Sequence, residues 1–107
     1  MTSKFLEGTR NCIIEQGNTI QLEYYLIETQ SVENTDTVQT LYGIEITKRC
    51  QTPNSKFAIE SDMVPRISEN KDKVKTILNH LIAHTVTPMT LVYILDDYLY
   101  ETPYISS

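Results

Sequence analysis

Tryptophan is absent from this chain of 107 residues, glycine occurs three times, cysteine twice, and no lysine or arginine follows Lys75. Each shortage excludes something. With three glycines there is no phosphate-cradling loop of the G-x-x-x-x-G-K or G-x-G-x-x-G kind, and no G-x-S-x-G nucleophile turn. Cys12 and Cys50 form no disulfide framework and read as small, half-buried hydrophobes. A single bridge between them is open only if their strands lie side by side. No apolar run approaches the ~18 residues of a membrane-crossing helix, and Met1-Thr2-Ser3-Lys4 opens no signal peptide. The expected location is cytoplasmic.

Positive charge is also short. Nine Lys and Arg face fourteen Asp and Glu, a net charge of −5. Phosphate backbones attract Lys and Arg, so an acidic chain is a poor direct binder of nucleic acid and suits a basic partner. Length and a 40% apolar content fit one domain over residues 1–107, able to bury a core without staples.

The first half of the chain alternates with a period of two. Phe5 to Glu15 is weakly strand-like, and Gln16-Gly17-Asn18 supplies a turn. In Thr19 to Thr29, Ile20, Leu22, Tyr24 and Leu26 share one face and Gln21, Glu23, Tyr25 and Ile27 the other. Thr37 to Lys48 repeats the pattern with Thr40, Tyr42, Ile44 and Ile46; Gly43 marks a bulge or a close backbone approach. A short fourth strand, Lys56 to Ile59, is expected at an edge. Strands therefore occupy about residues 3–62.

The period then changes. Val74, Ile77, Leu78, Leu81 and Ile82 form the buried stripe of a helix over about residues 69–84, with Ser68 as its expected cap. Thr87-Pro88 is a start signal for a second helix, about residues 88–100, with Leu91, Ile94, Leu95, Tyr98 and Leu99 facing inward. Strands first and helices second give an α+β fold: an antiparallel sheet of about four strands with a two-helix hairpin on one face.

Few constellations carry chemistry. His80 and His84 share a helix face at i, i+4, but Leu81 stands where a zinc protease needs its glutamate, and a third ligand from Asp96 or Cys50 has nothing to recommend it. No metal, cofactor or catalytic residue is assigned. The helix–turn–helix segment carries Asp96, Asp97 and Glu101 where groove reading needs bases, so direct DNA contact is not expected. A basic minority, Lys48, Arg49, Lys56 and Lys71-Lys73-Lys75, forms no single row. Asp96 and Asp97 point ~100° apart on a helix and do not converge as a catalytic pair. What remains is a surface of tyrosines beside acids, Tyr93, Asp96, Asp97, Tyr100 and Glu101, which is the candidate protein-interaction site.

Tyr24-Tyr25-Leu26-Ile27-Glu28, Tyr42-Gly43-Ile44-Glu45-Ile46, Thr85-Val86-Thr87-Pro88, Leu91 and Asp97-Tyr98-Leu99 give the stretch from Glu23 to Leu99 a resemblance to a family of small uncharacterised proteins of spore-forming Firmicutes. The resemblance implies a bacterial cytosolic origin and carries over no catalytic residue. Some proteins of this size in such bacteria serve mobile elements. The expected function is a non-catalytic regulatory or adaptor protein acting through protein–protein contact, with a basic or DNA-binding partner. A narrower form is an accessory factor that sets the direction of a serine recombinase. The alternative is an enzyme or small-ligand binder with a pocket between sheet and helices, using Tyr42 or His80. A homodimer through an open sheet edge is also expected.

Overall fold

The computed structural model describes residues 2–13, 18–34, 37–51 and 57–97. Four strands run as an antiparallel meander in the order β1-β2-β3-β4: β1 (Thr2–Ile13), β2 (Thr19–Asn34), β3 (Thr37–Gln51) and β4 (Phe57–Ser68). Helix α1 (Lys71–Ala83) follows, then a 3-10 turn (Pro88–Thr90) that leads into α2 (residues 91–97). The α+β class and the strands-then-helices order match the sequence expectation.

Alternation decides which side chains meet the helices. Leu22, Tyr24 and Leu26 of β2 and Ile44 and Ile46 of β3 form one buried face. Val74, Ile77, Leu78 and Leu81 of α1 close onto it, joined by Val86, Leu91 and Leu95. Each such aliphatic side chain contributes roughly 1.5–3 kcal/mol by leaving water. Sixteen residues of β2 extend about 53 Å at ~3.3 Å per residue, which accounts for the molecule's longest dimension, 54 Å. The thirteen residues of α1 span only about 20 Å. The helical layer therefore covers part of a long sheet. The smallest dimension, 17 Å, has room for one such layer, and among the described residues both helices lie on the same face of the sheet.

Several local expectations are corrected. The fourth strand is not a short segment near residues 56–59; it runs from Phe57 to Ser68. Ser61, Asp62 and Pro65 interrupt its apolar pattern, but β4 is an edge strand, where proline and outward polar residues are tolerated. The N-cap of α1 is Asn70, not Ser68. The Asn70 side chain accepts from the Lys73 N–H at 3.2 Å, while Ser68 Oγ accepts from the Asn70 N–H at 3.0 Å. Thr87 makes no side-chain cap, although Pro88 does open the helical turn as its sequence position indicates. Cys12 and Cys50 do not lie on neighbouring strands. Cys12 sits opposite Ile20, and Ile20 opposite Cys50, so β2 separates them. Two strand spacings make roughly 9.5 Å, beyond the ~7 Å limit for a bridge, and both thiols are free.

Gly43 is the close approach its position in β3 announced. Pairing shifts between Tyr42↔Ser68 and Ile44↔Val64, so β4 carries extra residues there. A Cβ on Gly43 would collide with the Val64 and Pro65 backbone. The bulge leans over Gly43, and Ile27, which pairs with Gly43, is 1% exposed although it points away from the helices.

Candidate interaction surface

Packing fixes the direction of every α2 side chain. Leu91 and Leu95 are buried against the sheet. At ~100° per residue, Tyr93 then lies on the opposite side of the helix, and it is 74% exposed. Asp96 and Asp97, three and four residues on, flank it one turn later, both exposed. One turn earlier Met89 is 75% exposed, with Val92 beside the stripe. Residues 89, 92, 93 and 96 follow the i, i+3, i+4, i+7 spacing of a helix face that seeks cover. This segment thus carries two apolar stripes, one facing its own core and one facing solvent. Of the residues expected at the surface, Tyr93, Asp96 and Asp97 are brought together here; Tyr100 and Glu101 lie outside the described residues. Met89 and Val92, which precede Tyr93 and carry neither a phenol nor a charge, were not among the residues expected at this surface. Their spacing was the available signal.

The turn between the helices is held tightly. The Thr85 and Val86 N–H groups donate to the Ile82 and Leu81 carbonyls at 3.2 and 3.0 Å. This is a Schellman closure, with Thr85 at φ 54° in the position glycine usually takes. The Tyr24 hydroxyl rises from β2 to donate to the Val86 carbonyl at 2.8 Å. Burial pushes that hydroxyl's pKa up to about 12, against a lowering by the Arg10 guanidinium.

The histidines stand nearby. The His80 and His84 rings stack at 6.2 Å, and His84 Nδ1 lies 2.8 Å from the His80 carbonyl. They border an open, mainly apolar cavity of about 220 Å³ with Leu81, Val86 and Ile94. Among the described residues, no three His, Cys, Asp or Glu side chains gather as a metal-binding group. A second open cavity, about 290 Å³, lies at the end of the β1–β2 hairpin beside Asn11, Cys12, Gln21 and Arg49. Between sheet and helices, where a ligand pocket was the alternative expectation, Leu22, Leu26, Ile44, Val74, Leu78 and Leu81 fill the space, each 2% exposed or less.

The face of the sheet opposite these helices is ordered by ion pairs. Arg49 Nε donates to Glu23 Oε1 at 2.9 Å, and Tyr25 donates to the same oxygen at 3.1 Å. Lys4 Nζ lies 3.3 Å from Glu45 Oε2 and 4.3 Å from the Tyr25 ring centre. Glu23 holds the Arg49 guanidinium above its ordinary pKa, chiefly by this hydrogen bond. Burial, reinforced by Glu23, raises the Tyr25 hydroxyl. These charges are engaged with one another, so Arg49 is not a free base for phosphate. Lys75 likewise pairs with Glu7 at 3.6 Å. Among the described residues no helix is long and apolar enough to cross a membrane.

Residues 3–101 match the model of a family described only as a family of unknown function, DUF6514. No curated protein matches the chain, and no solved structure does.

Proposed function

The chain belongs to DUF6514, and we propose that it is a non-catalytic adaptor that binds a basic protein through the outer face of α2. The observation that carries this reading is the second stripe: Met89 and Tyr93 three-quarters exposed, on the side opposite Leu91 and Leu95, with Asp96 and Asp97 flanking the tyrosine. An exposed aromatic with an apolar neighbour forms the centre of a contact, and acids around it form a charged rim. The absence of lysine and arginine after Lys75 and the net charge of −5 assign the opposite sign to the partner. The narrower form of the proposal is that the host is a spore-forming Firmicute and the partner a serine recombinase, whose own basic surface carries the DNA contacts.

A photo-crosslinking residue in place of Tyr93, expressed in the native host, tests the reading. The expected result is an adduct with a basic protein, absent when the same residue replaces exposed Asn79 on α1. Its yield should fall when Asp96 and Asp97 become lysine and when salt is raised, since rim charges are screened within about 10 Å at 0.1 M. Equal labelling from both positions overturns the proposal. An adduct that is not a recombinase removes the narrower form alone.

A further inference from the structure

We infer that β1 is a self-pairing edge: two copies of the chain join antiparallel along β1, with Phe5 on the two-fold axis, to make one continuous eight-stranded sheet. This surface is separate from the outer face of α2.

The two edges of the sheet are not equivalent. β4 is guarded. Pro65 offers no N–H and the bulge there bends the second half of the strand over Gly43, while the regular stretch, residues 57–64, carries the carboxylates Glu60 and Asp62, edge charges that discourage a neighbouring strand. Among the described residues β1 pairs with β2 alone, and it contains no proline. Exposed edges are commonly protected by charges projecting past the strand. The three charges of β1 are all turned inward onto their own chain. Lys4 pairs with Glu45 at 3.3 Å, Glu7 with Lys75 at 3.6 Å, and Arg10 Nε donates to the Ile82 carbonyl at 3.0 Å. The outer row of backbone groups is left without that protection.

Side chains indicate what covers it. Phe5 and Leu6 are 46% and 54% exposed and point to opposite faces at the same level, opposite Leu26 and Tyr25. A strand laid along β1 shelters both. A second copy supplies such a strand, and the geometry selects its register. Directly opposed residues share a face, so paired positions in a two-fold contact sum to an even number within the regular stretch before the bulge at Glu7. Centring on Lys4 sets lysine against lysine. Centring on Phe5 sets aromatic against aromatic and lays the Lys4 stem along Leu6, the favourable choice. The net charge of −5 opposes association, but β1 itself holds Lys4, Arg10 and Glu7, a local excess of one positive charge. Pairing through β1 on both copies also leaves only guarded β4 edges at the ends of the new sheet. The assembly closes at two and does not grow into a fibre.

Light scattering on the full chain over a rising concentration series reads this directly. The mass should climb from 12.3 kDa towards twice that value, and Phe5→Lys should hold it at the monomer value. A second variant keeps the test independent of any folding defect in the first. With Cys12 and Cys50 changed to serine, Phe5→Cys should give a covalent dimer under a mild thiol oxidant, since opposed residues across an antiparallel pair lie ~4.5–5.5 Å apart, within disulfide range. Asn11→Cys, on the same strand but away from the axis, should not. A mass fixed at 12.3 kDa at every concentration overturns the inference. So does a dimer that survives Phe5→Lys while Phe5→Cys fails to cross-link.

Discussion

The Tyr24 hydroxyl reaches through the core to the Val86 carbonyl, 62 positions further along the chain, and so fastens the centre of the sheet to the turn between the helices. Tyr24 is fully buried and Val86 nearly so. Tyr24→Phe keeps the ring and removes the donor, leaving a buried carbonyl unsatisfied. The expected loss is about 1–3 kcal/mol, read as a lower denaturation midpoint with an unchanged denaturant slope.

The same hydroxyl sets an alkaline limit. Its folded pKa is about 12 against an ordinary 10.0. Above pH 10 the unfolded chain releases this proton while the folded chain retains it, so stability is full below pH 10 and falls as pH rises towards 12. Tyr24→Phe should flatten the stability profile in that window, measured by denaturant titration at successive pH values.

Thr85 holds a left-handed conformation, φ 54°, with a β-branched side chain. Glycine removes that cost, roughly 1–2 kcal/mol, and returns part of it as added freedom of the unfolded chain. Thr85→Gly should raise stability by about 0.5–1 kcal/mol. A thermal melt showing no gain would mean that the Schellman turn carries no strain.

Two glycines should answer the same substitution differently. A Cβ on Gly8 meets Ile82 Cδ1 at 2.8 Å, the flexible end of a side chain, whereas on Gly43 it meets the backbone of Val64 and Pro65. Gly8→Ala should cost at most about 1 kcal/mol, and Gly43→Ala about 3 kcal/mol through displacement of β4. Equilibrium unfolding of the two variants, side by side, checks the contrast.

Asn70→Ala should cost about 1 kcal/mol of stability and fray the first turn of α1, because it removes the acceptor for the Lys73 N–H. Ser68→Ala removes only the contact one step outside the helix and should cost less. Hydrogen exchange at the first turn distinguishes the two.

How far the sequence disclosed this can be followed residue by residue. Ile20 to Leu26 and Thr40 to Ile46 alternate cleanly because one face of each strand is buried under helices, and period two survives wherever burial is one-sided. β4 has no such signal over its second half: Asp62 faces its neighbours at an edge, and Pro65 sits in a bulge, so neither is obliged to be apolar. Gly43 announced a close approach but not that Pro65 was the approaching group, since that depends on a fold-back 22 positions later. The separation of Cys12 from Cys50 by Ile20 follows from strand order, which composition does not encode. On α2, Tyr93, Asp96 and Asp97 point outward because Leu91 and Leu95 must point inward, and helical geometry alone fixes that. Met89 lies in the 3-10 turn that leads into α2, and its spacing to Val92 and Tyr93 extends the outer stripe back by one turn.

The order of elements has a consequence for the chain as it leaves the ribosome. Every strand pairs with its neighbour in sequence, so the meander can assemble as each hairpin emerges. Leu22, Leu26, Ile44 and Ile46 nevertheless have no cover until α1 and α2 are synthesised, and Leu95, the last of their partners among the described residues, comes more than forty residues after Ile46. During that interval the nascent sheet presents a bare apolar face of the kind that chaperones bind and that aggregates. Stop codons placed before Val86 should yield insoluble protein, whereas silent slowing of translation within α1 and α2 should prolong chaperone occupancy without altering the final fold.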